Sequence, residues 1–369
     1  MKIGILRFFV NMGYSPAKYW VKYARAIHEQ LDPERWEHRV HFRTEAASDE
    51  EWIQPEPVSV EMLCDPRWVA KHLVPRVDAY RKTVIHFHSL PVHNALWVLK
   101  TLRPGKCITV MTDHDPVPPQ EDHVIKKFKR RLSRYLNYYP DHIIAISQFN
   151  KNAWERLIPG QKVTHIYNGI EIPPTMRAPR DVGDSIHFLY LGRMMEIKGV
   201  RTLINHVCRA LKEGHRLTLE LVGGGPDAEW IKNQICTHDV GHAIQYHAHV
   251  GDVRPFYERA DVVIIPSLFN EPMCKVSLEA QALGIPCIYA RRGGMTETQI
   301  DGVTGICFEP ESYEDFVAAM LRLQKKPDLY RGMIVAGRKN VEERFSITEM
   351  AKKYADFYER VIEEQERLT

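Results

Sequence analysis

Short, continuous runs of apolar residues recur along this 369-residue chain, and amphipathic helical segments separate them. The run Val262–Ile265 is typical, because four consecutive branched apolar residues suit a strand that is buried on both faces. Such strands belong to parallel sheets that carry helices on both sides and are joined by right-handed crossovers. The alternation therefore predicts an α/β protein built from doubly wound, Rossmann-like parallel sheets.

The same pattern places strands in both halves of the chain. In the first half the predicted strands are Ile3–Val10, Thr83–Phe87, Cys107–Met111, His142–Ile146 and Val163–Ile166. In the second half they are Ile186–Leu191, Leu217–Val222, Val262–Pro266, Pro286–Ala290 and Gly305–Phe308. Apolar residues at helical spacing also predict a helix over Pro16–Leu31.

A segment rich in proline and charge separates the two sets of strands. It lacks any hydrophobic periodicity, so we interpret residues 173–184 as a linker between an N-terminal domain, 1–172, and a second domain, 185–347. The length of the chain also favours two cores over one. Two doubly wound domains joined in this way leave a cleft at the carboxyl ends of their strands, where ligands are expected to bind.

Composition excludes several classes of protein. The formal net charge of +3 gives no general attraction to nucleic acid. The seven cysteines are scattered without a C-x-x-C pair, which indicates reduced thiols in a cytoplasmic protein rather than a disulfide framework or a zinc site. No apolar run approaches the roughly 18 residues of a transmembrane helix. The apolar start of the chain is short and carries Arg7, so it favours a first strand over a secretory signal.

Two loops that follow predicted strands of the second domain could hold a phosphate group. Arg193 and Lys198 follow the first of these strands, and two cations there suit a dianionic diphosphate, although solvated surface charges would give the same pattern. Gly223 and Gly224 follow the second strand. They would allow backbone to approach a ligand closely, as glycines in a plain tight turn also do.

A third loop, in the stretch NEPMCKVSLEAQALG, leads into a short predicted helix. The free N–H groups at the start of this helix should fall at Met273, Cys274, Lys275 and Val276. Glu271 precedes the helix and Glu279 lies within it. A carboxylate at Glu279 could accept two hydrogen bonds from a ribose diol, but a lone helix glutamate is ordinarily solvated.

The order of these motifs resembles the family 4 retaining glycosyltransferases, which have the GT-B fold. Over Ile186–Phe308 the order is G-R-x(4)-K-G, L-V-G-x-G-P, A-D-V-x-x-x-P-S, E-x(7)-E, G-G-x-x-E and D-G-x-x-G. The segments IYNGI (Ile166–Ile170) and AISQFNK (Ala145–Lys151) resemble the family more weakly. The resemblance implies two Rossmann-like domains that face a central cleft. It also implies that the final helix, about 348–369, crosses back to the N-terminal, acceptor-binding domain.

The resemblance also implies roles for the residues that match. Arg193 and Lys198 would hold the donor diphosphate, and Glu279 would bind the nucleotide ribose. Glu271 and the amides of residues 273–276 would face the hydroxyls of the donor sugar. The catalytic set implied in this way contains His114, Arg193, Lys198 and Glu271.

In the N-terminal domain the resemblance points to a histidine near the reacting carbon of the sugar. His114 ends a predicted strand at the matching place, and His86 and His88 compete with it at the end of another strand. The loop NMGYSP matches the family's glycine-containing loop near the diphosphate, but it carries only Gly13 where a pair of glycines is common.

The activity implied is transfer of a sugar from a nucleoside diphosphate donor to an acceptor hydroxyl with retention of configuration. UDP is the expected donor nucleotide, and the acceptor is a glycan, a lipid-linked saccharide or a small molecule. The resemblance also implies that the reaction needs no metal and no other cofactor. The alternatives are a non-catalytic nucleotide-sugar binder and a nucleotide-sugar epimerase on the same fold.

Two further features set expectations about the sugar and the membrane. Met273 and Cys274 stand where the family usually has Phe and Gly, so the Cys274 side chain is expected to narrow the sugar pocket. Residues 124–139 form a basic amphipathic pattern, which suits either contact with anionic lipid at the membrane surface or a core-facing helix with a solvated back.

Overall fold

A computed structural model describes residues 1–9, 17–42, 51–54, 58–88, 93–115, 139–178, 180 and 182–367 of the chain. The chain forms two compact units. Unit 1 contains Met1–Gly169 and Ile347–Thr369, and unit 2 contains Ile170–Ser346.

Six parallel strands form the sheet of unit 1. They are β1 (Ile3–Phe9), β2 (Trp36–Phe42), β3 (Thr83–His88), β4 (Cys107–Asp113), β5 (His142–Ala145) and β6 (Lys162–His165). Their order across the sheet is β2-β1-β3-β4-β5-β6. The direction of strand succession reverses between β1 and β3, so the topological switch point of unit 1 lies there.

Helices cover both faces of this sheet. They are α1 (Ala17–His28), α2 (Val60–Cys64), α3 (Pro66–His72), α4 (Val74–Asp78), α5 (His93–Leu102), α6 (Gln148–Leu157) and the C-terminal helix (Ile347–Glu366). On one face, Tyr23 of α1 and Tyr354 of the C-terminal helix join a core with Ile5 of β1. On the other face, Val69 of α3 and Leu99 of α5 pack on neighbouring strands. The C-terminal helix is thus part of unit 1.

Unit 2 has its own six-stranded parallel sheet. Its strands are β7 (Ile186–Leu191), β8 (Leu217–Val222), β9 (Ile244–His247), β10 (Val262–Ile265), β11 (Cys287–Ala290) and β12 (Gly305–Phe308). Their order is β12-β11-β10-β7-β8-β9, which is the Rossmann order, with its switch point between β7 and β10. The helices are α7 (Val200–Lys212), α8 (Ala228–Thr237), α9 (Arg254–Arg259), α10 (Lys275–Ala282), α11 (Met295–Thr298), α12 (Tyr313–Lys325) and α13 (Pro327–Arg344).

The prediction of a doubly wound α/β fold is confirmed, and the strands that it missed lie at the edges of the two sheets. Each predicted strand exists, and the bounds of β7, β8 and β12 are as predicted. The two unpredicted strands, β2 and β9, each form one edge of a sheet. Their sequences, WEHRVHF and IQYH, lack a continuous apolar run because an edge strand is not enclosed on both sides. The helix predicted over Pro16–Leu31 spans Ala17–His28.

The predicted linker, 173–184, packs on unit 2. The Arg338 guanidinium donates to the Pro173 carbonyl at 2.8 Å, and the Arg177 N–H donates to the Leu283 carbonyl at 3.2 Å. The Arg177 side chain also donates to the Tyr330 hydroxyl at 3.0 Å. The boundary of unit 2 consequently lies at Ile170, before the segment whose composition suggested a linker.

Candidate functional site

Four loops of unit 2 emerge at one edge of its sheet. They follow β7, β8, β10 and β11, and these strands are parallel neighbours at the centre of the sheet. Their carboxyl ends therefore meet at one edge of the sheet, on both sides of the switch point, which is where open α/β sheets bind ligands.

The loop after β7 is held against the end of β10. A 3₁₀ turn spans Glu196–Lys198, and Gly199 follows it with φ +75°. A Cβ at Gly199 would lie 1.8 Å from the Pro266 carbonyl oxygen, so only glycine fits. The Leu268 N–H also donates to the Ile197 carbonyl at 3.0 Å. These backbone contacts fix Lys198 next to the loop that carries Glu271.

Lys198 and Glu271 form an ion pair across the switch point. Lys198 Nζ lies 3.0 Å from Glu271 Oε1, and the two side chains are 27% and 14% exposed. The ammonium group also lies 5.4 Å from the centre of the Phe269 ring. The cation is thus positioned and partly accessible, with a carboxylate beside it. Two candidates that are distant in sequence come together here.

The Glu271 loop is fixed from the other side by the loop after β11. The Gly294 N–H donates to the Glu271 carbonyl at 2.7 Å, and the Gly293 N–H donates to Asn270 Oδ1 at 3.1 Å. The glycine pair of the G-G-x-x-E motif therefore supports the Glu271 backbone.

The glycines after β8 divide into two kinds. Gly223 has φ +139°, and a Cβ there would lie 2.0 Å from the Gly192 carbonyl oxygen. The fold itself thus requires Gly223, because this turn packs on the loop after β7. A Cβ at Gly224 would meet no atom within 4 Å, although the Gly224 carbonyl accepts a hydrogen bond from the Met194 N–H at 2.9 Å. The space above Gly224 is open to a ligand.

Glu279 is held by a tyrosine that the sequence did not indicate. The hydroxyl of the buried Tyr257 on α9 donates to Glu279 Oε2 at 2.9 Å, and Lys275 Nζ lies 3.2 Å from Oε1. Burial raises the pKa of Tyr257 well above its usual value, with Glu279 adding to the shift, so the hydroxyl remains a donor. Glu279 is therefore more than a solvated helix glutamate. No motif around Tyr257 signals this role.

The start of α10 lies where the sequence predicted, but the Cys274 side chain does not fit the expectation made for it. The helix begins at Lys275, and Cys274 is its N-cap. The Cys274 side chain is buried in an apolar cluster with Ile265, Cys287 and Tyr257. Burial also raises the pKa of the thiol well above its usual value. The thiol is a packing group of unit 2, which corrects the expectation that it narrows a sugar pocket.

A buried polar network fixes α10 from below. Gln281 Nε2 donates to the Thr298 carbonyl at 2.9 Å, and Asn340 Nδ2 donates to Gln281 Oε1 at 2.8 Å. Gln299 Nε2 donates to Ser277 Oγ at 2.9 Å. These bonds join α10 to α11 and α13, so the helix that carries Glu279 is rigidly placed.

Of the three histidine candidates in unit 1, only His114 is partly exposed at the carboxyl edge. His114 follows β4, and its Nε2 lies 3.0 Å from Nδ1 of the buried His88. Burial, with a smaller effect of Arg7, lowers the pKa of His114 to about 3. His86 is interior, since its ring nitrogens lie 2.7 Å from the Tyr358 hydroxyl and 2.7 Å from Thr112 Oγ1.

The remaining candidates are Arg193, Gly13 and the basic segment 124–139. Arg193 is exposed in the loop after β7, and its carbonyl accepts a hydrogen bond from the Tyr190 hydroxyl at 2.9 Å. Gly13 lies outside the described residues, as does the part of the basic segment that covers 124–138. Within the part of the chain that is described, no three His, Cys, Asp or Glu side chains cluster as metal ligands would, and no helix is long and apolar enough to span a bilayer.

Two family models match this chain in succession. The model for Glycosyltransferase Family 4 matches residues 21–172, and the model for Glycosyl transferases group 1 matches residues 174–340. This chain belongs to the family 4 glycosyltransferases. Lys198, Glu271 and Glu279 all fall within the second match.

Relatives in sequence are glycosyltransferases with different names. A putative glycosyltransferase, YtcC, of Bacillus subtilis is 29% identical over 60% of this chain and 60% of its own length. A glycogen synthase of Mycobacterium tuberculosis is 29% identical over 59% and 54%, respectively. A D-inositol 3-phosphate glycosyltransferase of Corynebacterium kroppenstedtii is 30% identical over 56% and 48%. The matches thus span about half to three fifths of each relative.

Solved structures match nearly the whole chain. A glycosyltransferase from Rickettsia africae superimposes with a TM-score of 0.77 at 18% identity and covers 98% of this chain and 99% of its own. The Anabaena protein HepE, in complex with UDP and glucose, superimposes with a TM-score of 0.74 at 18% identity, covering 97% and 99%. These similarities show the two-domain, Rossmann-like GT-B fold.

Proposed function

We propose that this glycosyltransferase moves a sugar from a nucleoside diphosphate donor to an acceptor hydroxyl, retains the anomeric configuration and needs no metal ion. The observation that carries the proposal is the Lys198–Glu271 pair, 3.0 Å apart at the switch point of unit 2. Such a pair places a fixed cation where an open α/β sheet binds its ligand.

Lys198 can exchange one anion for another. Its ammonium group is paired with Glu271, and a donor diphosphate offers a stronger, doubly charged partner. Glu271 is then released to accept hydrogen bonds from hydroxyls of the donor sugar. Arg193, which is exposed in the same loop, supplies a second cation. Negative charge that develops on the leaving diphosphate is stabilised by these groups without reorganisation.

Glu279 and Gly224 suit the nucleoside part of the donor. Tyr257 and Lys275 hold the Glu279 carboxylate in one position, where it can accept from both hydroxyls of a ribose. The open space at Gly224 allows backbone to approach the donor. The loops after β7, β8 and β10, together with helix α10, would thus contact diphosphate, sugar and ribose.

UDP is the donor nucleotide that we propose, because HepE was solved with UDP-glucose as well as with UDP. The names of the relatives point to different acceptors, a glucan in one case and an inositol phosphate in another. We therefore propose only the class of the acceptor, which is a glycan, a lipid-linked saccharide or a small molecule that carries a free hydroxyl.

In the proposed reaction the acceptor hydroxyl attacks the anomeric carbon on the face from which the diphosphate departs. The bond from that carbon to the phosphate oxygen breaks, the bond to the acceptor oxygen forms, and the departing phosphate oxygen takes the acceptor proton. His114 would lie near the reacting carbon without taking this proton, because both of its ring nitrogens already contact protein groups.

Turnover of sugar nucleotides tests the proposal. UDP-, GDP-, ADP- and dTDP-sugars are incubated with the protein in EDTA, with and without simple acceptors, and nucleotide release and product configuration are followed by NMR. We expect one donor to turn over with retention, and Lys198→Ala to lower the rate by roughly 100- to 1000-fold. Lys232→Ala is the matched control, because Lys232 is a surface lysine of unit 2 paired with Glu229 at 2.7 Å.

Other outcomes separate the alternatives. Binding of a sugar nucleotide without any turnover would indicate a non-catalytic binder. Release of free nucleotide and an epimerised sugar, with no acceptor product, would indicate an epimerase. Near-normal turnover in Lys198→Ala would overturn the site assignment.

We also propose that the basic segment 124–139 contacts the membrane surface. Its pattern, six cations opposite an apolar stripe, is the one feature that supports this. Flotation with anionic liposomes at low salt, lost at high salt or with neutral lipid, is the expected result. An absence of flotation at low salt would contradict it.

A further inference from the structure

A buried guanidinium lies at the switch point of the unit 1 sheet. Arg7 on β1 is fully buried, and its Nη2 lies 2.8 Å from Nε2 of His88 at the end of β3. The rings of Phe9, Tyr23 and Tyr354 surround the guanidinium at 5.0, 5.5 and 5.4 Å. Among the described residues no carboxylate pairs with Arg7, and its Nε and Nη1 have no hydrogen-bond partner. His88 is therefore the acceptor that the fold provides for this cation.

The contact continues from His88 to the edge of the sheet. Nδ1 of His88 lies 3.0 Å from Nε2 of His114, and Nδ1 of His114 lies 3.3 Å from Nδ2 of Asn168. All four residues belong to unit 1. We refer to Arg7, His88, His114 and Asn168 as the histidine relay.

The charge of Arg7 determines the position of each proton in the histidine relay. An arginine stays protonated in proteins and its nitrogens only donate, so His88 Nε2 must accept. A neutral His88 then carries its proton on Nδ1 and donates it to His114 Nε2. By the same rule His114 carries its proton on Nδ1. The reversed tautomers would set two N–H groups against each other, 2.8 Å apart, between Arg7 and His88.

Asn168 has to complete this order. A proton on His114 Nδ1 would meet the amino group of the Asn168 amide, so the amide turns by 180° and presents Oδ1 as the acceptor. The hydrogen bonds of the histidine relay then all run in one direction, from Arg7 to Asn168.

We propose that Arg7 is a positioning residue which, through His88, holds His114 as a neutral imidazole with its proton on Nδ1. The inference rests on the proposed function, which places His114 near the reacting carbon of the donor sugar. Positive charge develops at that carbon when a glycosidic bond breaks, and an imidazolium beside it would oppose the reaction. The histidine relay keeps the ring uncharged and occupies both of its nitrogens.

The groups around the histidine relay agree with a neutral state. Burial lowers the pKa of His88 well below its usual value, with His86 and Arg7 adding to the shift. Of the carboxylates next to His114 in sequence, Asp113 accepts from Trp154 Nε1 at 2.6 Å, and Asp115 is exposed. Among the described residues, the other titratable groups that face the histidine relay are His38 of β2, His86 of β3, Tyr23 of α1, and Tyr354 and Tyr358 of the C-terminal helix.

Long-range ¹⁵N NMR of histidine-labelled protein tests the proton positions directly and needs no substrate. His88 and His114, assigned with His88→Gln and His114→Gln, should both give the pattern of a neutral ring protonated on Nδ1 from pH 8 down to the pH at which unit 1 begins to unfold. Arg7→Met should give mixed tautomers at both rings, and Arg7→Lys, which retains a charged donor, should restore the single form. Tyr358→Phe, which removes a contact of His86 in the same core, should change neither ring.

Kinetics distinguish positioning from a purely structural role. With the donor that turns over, Arg7→Met should lower kcat about tenfold while the donor KM stays within twofold, and Arg7→Lys should recover most of the loss. A proton on Nε2 of His114 in the unaltered protein, or unchanged tautomers in Arg7→Met, would overturn the proposal. If the protein turns over no donor, the proposed function is wrong, and so is the catalytic role of the histidine relay. The NMR pattern still tests the proton positions separately.

A second variant covers the case in which Arg7→Met fails to fold. Asn168 is partly exposed, and Asn168→Asp keeps an acceptor at His114 Nδ1 while it adds a negative charge. We expect His114 to keep its proton on Nδ1 but to titrate at higher pH, and kcat to fall at acidic pH along with that titration. A pH profile of kcat identical to that of the unaltered protein, with His114 titrating in the variant, would contradict the proposed effect of charge at this ring.

Discussion

The two units carry polar groups at the switch points of similar sheets, but they stabilise them in opposite ways. In unit 2 the Lys198–Glu271 pair is partly exposed, balanced in charge and fixed by backbone contacts of the surrounding loops. In unit 1 the Arg7 cation is fully buried, lacks a carboxylate among the described residues and contacts His88. A balanced, accessible pair can exchange partners with a ligand. A buried, uncompensated cation instead imposes fixed proton positions on its neighbours.

Lowering the pH should produce the largest difference in stability between the two units. Among the described residues of unit 1, burial lowers the pKa of six histidines, to about 3 for His41 and His114 and about 4 for His142, with His38, His86 and His88 also well below 6.5. In unit 2 burial lowers the pKa of His206. An unfolded chain takes up these protons near pH 6.5 and the folded unit does not. The free energy of unfolding of unit 1 therefore falls with pH below 6.5, by about 1.4 kcal/mol per pH unit for each histidine.

Hydrogen–deuterium exchange, corrected for the intrinsic rate and read separately for the two sheets, measures this difference. Unit 1 should lose protection at a higher pH than unit 2. His142→Gln should move the unit 1 transition to lower pH, and His206→Gln should leave it in place. If unit 2 lost protection first as the pH falls, or if both units lost it at the same pH, the predicted difference in acid stability would be wrong.

A glycine pair tests whether backbone contact holds the site of unit 2. Gly223→Ala should destabilise unit 2 by about 2–3 kcal/mol, because the new Cβ would lie 2.0 Å from the Gly192 carbonyl oxygen and φ is +139°. Gly224→Ala should cost less than about 1 kcal/mol, since nothing lies within 4 Å, yet it should weaken donor binding. Urea unfolding and donor titration measure the two effects. Equal loss of stability in both variants would contradict the distinction.

Glu279→Gln should weaken donor binding about tenfold, or 1.4 kcal/mol, because a neutral amide accepts more weakly from a ribose diol. Tyr257→Phe should weaken it less, since the carboxylate remains and loses only the group that fixes it. Glu229→Gln on α8 is the matched surface control. Calorimetric titration with the preferred nucleoside diphosphate gives the three values. An unchanged Kd in Glu279→Gln would remove the ribose assignment.

Cys274→Ala should have the smallest effect on function. Its thiol packs in the core, so the ratio of rates for two donor sugars should stay within about twofold while stability falls by about 1 kcal/mol. Competition between two sugar nucleotides in one reaction measures the ratio. A large change in donor preference would indicate that the Cys274 side chain does line the sugar pocket.

The sequence predicted unit 2 more completely than unit 1, and the two modes of stabilisation explain why. Lys198 and Glu271 lie in loops after strands that continuous apolar runs define, and Glu279 lies in the helix that follows the second of these loops. Order along the chain therefore already placed the three residues together. The histidine relay depends on which side chains of four separate segments touch inside a core. Arg7 did interrupt the apolar run IGILRFF, which was a signal of an unusual buried charge. Nothing near Asn168 or Tyr257 indicated a partner, because each acts through one side chain in a tertiary contact.

The central claim is that Lys198 leaves Glu271 to bind the diphosphate of a donor. Its most direct test compares Lys198→Met with the unaltered protein in EDTA, by titration with the preferred nucleoside diphosphate and with the nucleoside alone. We predict that the variant loses at least about 30-fold in affinity for the diphosphate, about 2 kcal/mol, and less than twofold for the nucleoside. Equal affinities of the two proteins for the diphosphate, or an equal loss for both ligands, would contradict the account.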